Sequence, residues 1–370
     1  MKQGRWWIII AVAACLYVVV AGCVVFSSNA PTNSRVADSA EGGQPMLATG
    51  KVQGLPYRGF AMQVQRIDDV MDYGRSIDKI QGTGSDTVLF VVDSKQENST
   101  STRIFLDMRG EPSQEKLGAL IDYAHGKNLR VILMPIVLLE APKGANDWRG
   151  SIQPEVWEDW WDSYREMIHH YTTVAEAHHV ELFVVGSELV TAEHYVEQWT
   201  RTIRQVRKEY HGLITYSANW DHYTTIPFWD QLDLMGMNSY YKLGDNASVT
   251  VKEINKRWAD IRDHILQFSR KIKKPVLMTE VGWCSQANAA SEPWDYTKDA
   301  SEVPLDLELQ KRLYESYFET WYGQTGFAGF MLWSWTPNAS GPQDRGYTPE
   351  GKPAEEVLRR WLAKGPWQVQ

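Results

Sequence analysis

Two glutamates close short apolar runs in this chain. Glu188 ends Glu181-Leu-Phe-Val-Val-Gly-Ser-Glu188, and Glu280 ends Pro275-Val-Leu-Met-Thr-Glu280. Runs this apolar read as strands covered on both faces of a parallel sheet. A carboxyl at the C-terminal tip of such a strand points into the mouth of a barrel rather than into bulk water. Two of them facing each other across a sugar-sized gap would suit glycoside hydrolysis. One, protonated, gives its proton to the departing oxygen, and the other, charged, attacks C1 or activates water. They stand about 5–5.5 Å apart where the anomeric configuration is retained and roughly 6.5–9.5 Å apart where it is inverted. Their surroundings must separate their pKa values, since closeness alone disfavours double ionisation.

The other run ends carry amides and aromatics. Ser187 stands beside Glu188, Asn219 and Trp220 follow the fifth run, and Asn238, Tyr240 and Tyr241 follow the sixth. Trp283 follows Glu280, Trp333 and Trp335 follow the eighth run, and a loop after the third carries Trp148 and Arg149. Either Tyr240 or Tyr241 could hold the attacking carboxylate charged by a hydrogen bond. Flat rings suit the apolar faces of sugars, and the chain holds 17 Trp and 17 Tyr. No run end offers the His, Cys and Asp cluster that a metal needs, so neither metal nor cofactor is expected. His169, His170, His178 and His179 fall on a helix before the fourth run and the turn after it, away from the run ends. Trp157, Trp160 and Trp161 share helical spacing and read as core packing. Cys284 reads as a packed thiol.

The elements that must position these groups alternate. Apolar runs lie at 58–64, 86–92, 130–136, 181–186, 213–218, 232–238, 275–281 and 327–333. Amphipathic segments between them include 113–127, 156–177, 192–209, 249–271 and 305–322, and a closing helix is expected over 354–363. Eight such units predict an α/β chain folded as a (β/α)8, or TIM, barrel. The gap 219–230 has room for one helical turn at most, and 93–103 reads as a polar loop.

Lys2 and Arg5 precede an uncharged run from Trp6 to Gly22, the pattern of an export signal. Val20-Ala21-Gly22-Cys23 resembles a bacterial lipobox with Cys23 as the lipidated residue. The rival is an uncleaved membrane helix, because Val24-Val25-Phe26 prolongs the run toward spanning length. The domain reading is a signal at 1–22, a flexible tether at 23–51 spanning roughly 30 Å, and the barrel at 52–370. It implies an exported, membrane-anchored protein. A net charge of −8 and a pI near 5.7 argue against nucleic acid as a partner. A single chain is expected to suffice, as a monomer.

Several segments in order carry a family resemblance. Gly186-Ser-Glu188, Thr279-Glu-Val-Gly-Trp283, Asp233-Leu-Met-Gly-Met-Asn-Ser-Tyr-Tyr241, Phe327-Ala-Gly-Phe-Met-Leu-Trp333 and Gly346-Tyr-Thr-Pro-Glu-Gly-Lys-Pro-Ala354 resemble glycoside hydrolase family 113, the TIM-barrel β-mannanases of clan A. The resemblance covers most of 58–361. It implies Glu188 as acid/base, Glu280 as nucleophile, Tyr240 or Tyr241 as the tyrosine on the nucleophile, and Trp333 as the platform beneath the sugar being cleaved. The implied reaction is retaining hydrolysis of β-1,4-mannosidic bonds in a mannan or manno-oligosaccharide, without a metal. Where the family often shows Lys-Pro-His-Val after the third strand, this chain has Met134-Pro-Ile-Val137. That change keeps open a different β-linked polysaccharide or oligosaccharide. A carbohydrate-binding lipoprotein without catalysis is the other alternative.

Overall fold

A computed structural model describes residues 54–65, 70–107, 110–144 and 146–369. The expected signal segment, the tether and the lipidation residue Cys23 lie outside the described residues.

All eight apolar runs form strands. In chain order they are β1 (Tyr57–Gln63), β2 (Thr87–Gln96), β4 (Arg130–Leu139), β5 (Leu182–Ser187), β6 (Leu213–Ala218), β7 (Met235–Asn238), β8 (Val276–Val281) and β9 (Phe327–Leu332). A short strand, β3 (Ile104–Phe105), stands outside the series. Each of the eight pairs in parallel with the next, and β9 returns to β1. The sheet therefore closes into a (β/α)8 barrel. Its helices are α1 (Val70–Gly82), α2 (Gln114–Gly126), α3 (Trp157–Ala177), α4 (Val196–Glu209), α5 (Val251–Ile272), α6 (Leu307–Trp321) and α7 (Pro353–Leu362). Helix starts follow from local chemistry: the Ser113 hydroxyl caps α2, Thr250 and Glu253 form a reciprocal box on α5, and the Asp306 carboxylate caps α6. The gap between β6 and β7 holds one 3-10 turn at Trp229–Gln231, as its length required.

Strand alternation sorts the core into two shells. Leu89, Val91, Ile132, Met134, Leu182 and Leu277 fill the barrel interior. The second shell, between strands and helices, is crowded with large rings. Trp160, Trp161, Trp199, Trp258, Trp283, Trp321 and Trp335 are all fully buried. They meet edge to face, as at Trp161 and Trp199 (centroids 5.2 Å apart) and Trp283 and Tyr314 (5.2 Å). Most of the tryptophan excess thus serves packing.

Two expectations need correction. The segment 93–103 is not all loop. β2 and β4 stay paired out to Gln96 and Leu139, and β3 adds an antiparallel flap on β2 through Lys95 and Gln96. The sixth run starts later than its apolar pattern suggests, because Asp233 is held by side-chain chemistry. Its carboxylate accepts from the Ile214 N–H at 2.8 Å and pairs with Arg207 at 2.8 Å.

Register breaks fall at the chemically important strand ends. β5 and β6 shift between Val184 and Ser187, β7 and β8 between Met237 and Asn238, and β8 and β9 between Met278 and Val281. Such irregularities re-aim side chains, and here they set Asn238 directly across from Glu280.

Candidate active site

Glu188 follows β5 with φ +54°, a left-handed conformation rare for glutamate. The strain is of order 1–3 kcal/mol, and the neighbours fix it. The Glu188 N–H donates to the Ser217 carbonyl at 2.9 Å, and the Leu189 N–H donates to the Tyr216 hydroxyl at 2.8 Å. Gly186 permits the turn, since a Cβ there would stand 2.7 Å from both the Trp199 ring and the Tyr164 hydroxyl oxygen. The result is a carboxylate aimed into the barrel mouth with only 7% of the residue exposed.

Both Glu188 oxygens are taken. Arg149 Nη2 pairs with Oε2, and Asn238 Nδ2 donates to Oε1. Asn238 is itself fixed: its Oδ1 accepts from the Trp220 N–H at 2.8 Å and its Nδ2 reaches Asn219 Oδ1 at 2.9 Å. Asn219 in turn donates to Asp221 at 2.8 Å.

Glu280, on β8, is 3% exposed. The Tyr240 hydroxyl donates to its Oε2 at 3.0 Å, while its Oε1 is buried with no hydrogen-bond partner in the protein. Burial, then the charge of Glu188, pushes the Glu280 carboxyl up to about 8. Arg149 and the Tyr240 hydrogen bond pull the other way. Arg149 feels the charge of both glutamates, and so does Tyr240. Asn238 links the two sides, since it bonds Glu188 and stands across from Glu280. Just beyond, Gly282 has no room for a side chain, because a Cβ would meet the Trp333 carbonyl oxygen at 1.9 Å. The Trp333–Ser334 peptide is cis, and Trp333 is half-buried against the inner shell of the barrel.

The remaining expected residues divide. Asn219, Asn238, Trp220 and Arg149 join the network around Glu188. The Trp148 indole is 39% exposed and folds over Gly150 on the rim. Tyr241 is corrected: its hydroxyl donates to the Trp220 carbonyl at 2.9 Å and not to Glu280. Trp283 and Trp335 are also corrected as sugar platforms. Trp283 turns outward between Trp258 and Tyr314, and Trp335 packs on Phe60. At 0% and 1% exposure neither presents a face to a ligand. His169 pairs with Glu209 at 2.9 Å and His178 with Asp122 at 2.9 Å, both outside the mouth. Cys284 is buried, and burial pushes its thiol up to about 12. Among the described residues no group of three or more His, Cys, Asp or Glu is placed to hold a metal ion.

Other participants carried no mark of their own. Tyr347 is buried near the site, donates from its hydroxyl to the Pro293 carbonyl at 2.8 Å, and lies within electrostatic reach of Glu280 and Tyr240. It stands in the Gly346-Tyr-Thr-Pro segment, where it could have been flagged. Asp93 is buried: Gln65 donates to it at 2.8 Å and Lys95 pairs with it. Lys352 is buried, pairs with Asp344 at 2.6 Å, and bonds Ser285 Oγ at 2.9 Å and the Gly346 carbonyl at 2.8 Å. That knot ties the segment after β8 to the start of α7. Behind Glu188, the buried Glu193 accepts from the Tyr216 hydroxyl at 2.9 Å and faces His222 at 3.5 Å. Desolvation pushes its carboxyl up to about 7.

Comparison with known proteins follows the same lines. The model of Glycoside Hydrolase Family 113 matches residues 70–352. The β-mannanase of Alicyclobacillus acidocaldarius, solved in complex with ManMIm, is similar at 28% identity and TM-score 0.76, over 85% of this chain and 99% of that one. A β-1,4-mannanase solved as a complex is similar at 26% identity and TM-score 0.75, over 84% of this chain and 100% of that one. A β-glucuronidase of Ruminococcus gnavus shares the fold alone, at 13% identity and TM-score 0.58, over 85% of this chain and 51% of that one. The search of curated proteins gives no match.

Proposed function

The chain belongs to glycoside hydrolase family 113, and from that premise we propose that it hydrolyses β-1,4-mannosidic bonds with retention of configuration. The observation that carries this reading is the pair of buried carboxyls, from β5 and β8, linked by Asn238, which bonds Glu188 and stands across from Glu280. Glu280 attacks C1 through its unpartnered Oε1 while Tyr240 holds Oε2. Glu188 protonates the departing oxygen, then takes a proton from the water that frees the glycosyl-enzyme. Asn238 and Asn219 orient Glu188. The half-buried Trp333 lies beneath the sugar being cleaved, and Trp220 and Trp148 flank it.

The protonation order adds a requirement. Double displacement needs the proton on Glu188 and the charge on Glu280. Burial and the Glu188 charge raise the Glu280 carboxyl, while Arg149 and the Tyr240 hydrogen bond favour its charged form.

The discriminating experiment is a product profile on mannan, glucomannan, cellulose, xylan and chitosan. Release of manno-oligosaccharides of retained configuration is the expected result; action on another glycan and not on mannan would refute the substrate class. That second outcome has one observation in its favour: Met134 and Ile136 place apolar side chains in the barrel interior on β4, where the family often carries Lys and His. At the N-terminus, the lipobox-like Val20-Ala21-Gly22-Cys23 supports export and anchoring to a membrane by a lipid on Cys23. Labelling with a radioactive fatty acid, lost in Cys23→Ala, tests it. We infer a monomer, and light scattering checks it.

A further inference from the structure

The two most exposed aromatic side chains among the described residues lie two positions apart in the chain. Trp294 is 50% exposed and Tyr296 63%. Both lie in the long segment between β8, which carries Glu280, and α6. In a TIM barrel that segment belongs to the C-terminal, working face. Between them Asp295 turns inward to Lys298, at 3.0 Å, and accepts from the Thr297 hydroxyl at 2.9 Å.

The segment is braced as a support would be. Lys298 also pairs with Glu292 at 2.6 Å, the Arg345 guanidinium donates to the Val303 carbonyl at 2.6 Å, and Gln286 bridges to Leu305. It is also continuous with the site. The Tyr347 hydroxyl, in electrostatic reach of Glu280, donates to the carbonyl of Pro293, the residue before Trp294. The Tyr296 ring stands 6.0 Å from the Tyr347 ring. Two large rings exposed on a rigid base lose apolar stabilisation, and adjoining exposed apolar groups mark a binding surface. The C–H bonds on a pyranose face carry slight positive charge and suit the negative face of an aromatic ring.

We propose that Trp294 and Tyr296 form an outlying platform for a sugar ring of the β-glycan chain as it leaves the catalytic cleft on the Glu280 side. The proposal rests on the β-glycan reading above and extends it. The platform makes affinity grow with chain length and favours long chains over short oligosaccharides.

Calorimetric titration of the full chain carrying Glu280→Gln, with mannobiose and with mannohexaose, tests it. The parent should bind the hexasaccharide more tightly. Adding Trp294→Ala and Tyr296→Ala should lower the ratio of hexasaccharide to disaccharide affinity about tenfold, whereas Trp294→Phe with Tyr296→Phe should preserve most of it. An unchanged ratio in the alanine pair, with thermal unfolding like that of the parent, overturns the platform but leaves the hydrolase reading standing. An equal loss in the phenylalanine pair overturns stacking as the cause. Failure of the parent to bind either saccharide overturns the mannan reading and the platform with it.

Discussion

On the β5–β7 side of the barrel mouth, Glu188 has both oxygens occupied, by Arg149 and by Asn238. On the β8 side, Glu280 has Tyr240 on one oxygen and nothing from the protein on the other. Both residues are buried, yet one is fastened and the other is left able to react. A proton donor needs fixed aim, because it must meet one oxygen of the leaving group. A nucleophile needs a free lone pair directed at carbon. In the proposed roles, the amide chain from Asn238 through Asn219 would supply the first condition, and the unpartnered Oε1 the second. Arg149 belongs to both sides through its charge but bonds only Glu188.

The largest test of this contrast removes each carboxyl in turn. Glu280→Ala should lower kcat by about 10⁴-fold or more on every substrate, and added azide should restore turnover with an inverted glycosyl azide as product. Glu188→Ala should cost far less in kcat/KM on aryl mannosides with good leaving groups than on mannan. Equal losses on both substrates would erase the distinction between the sides. Next comes Arg149→Met. Taking away the cation should lower kcat/KM on the order of a hundredfold through lost positioning. It should also move the acidic limb of the kcat/KM profile upward, because Glu280 loses an opposite charge. Activity lost with that limb unmoved would reduce Arg149 to a scaffold. Tyr240→Phe is milder, about 10- to 100-fold in kcat. Its acidic limb should also rise, since the lost hydrogen bond favoured the charged form of Glu280, while Tyr241→Phe leaves that limb in place. The smallest effect concerns stability. Glu193 is raised to about 7 by desolvation. Folding therefore loses stability from this group as pH climbs from the unfolded carboxyl value, about 4.3, through about 7. Glu193→Gln should unfold at a higher temperature relative to wild type at pH 8 than at pH 5. A difference independent of pH would place Glu193 outside the titration.

Much of this was legible before any coordinates. Unbroken apolar runs announced all eight barrel strands, and the place of Glu188 and Glu280 at the ends of two of them foretold their buried position at the barrel mouth. Tyr240 and Tyr241 could not be told apart, since register near a bulge decides which hydroxyl reaches the carboxylate. Trp283 and Trp335 misled for the opposite reason. A ring next to a catalytic position along the chain can point to the other face of the strand, and these two fill the space under the helices. Tyr347 and Lys352 act from far along the chain, where no periodicity flags them, and their partners are backbone carbonyls as well as side chains. The flap at β3 was hidden by its length, because two residues, Ile104 and Phe105, are too few to show a strand's alternation.

The knot at Lys352 has a consequence for biosynthesis. The ammonium group secures Ser285 and Gly346 behind the segment that follows Glu280. The carbonyl of Leu362, near the end of the helix it introduces, also accepts from Arg58 on the first strand at 3.0 Å. Synthesis must therefore run past residue 352 before the segment behind Glu280 is fastened, and past residue 362 before the first strand gains this partner.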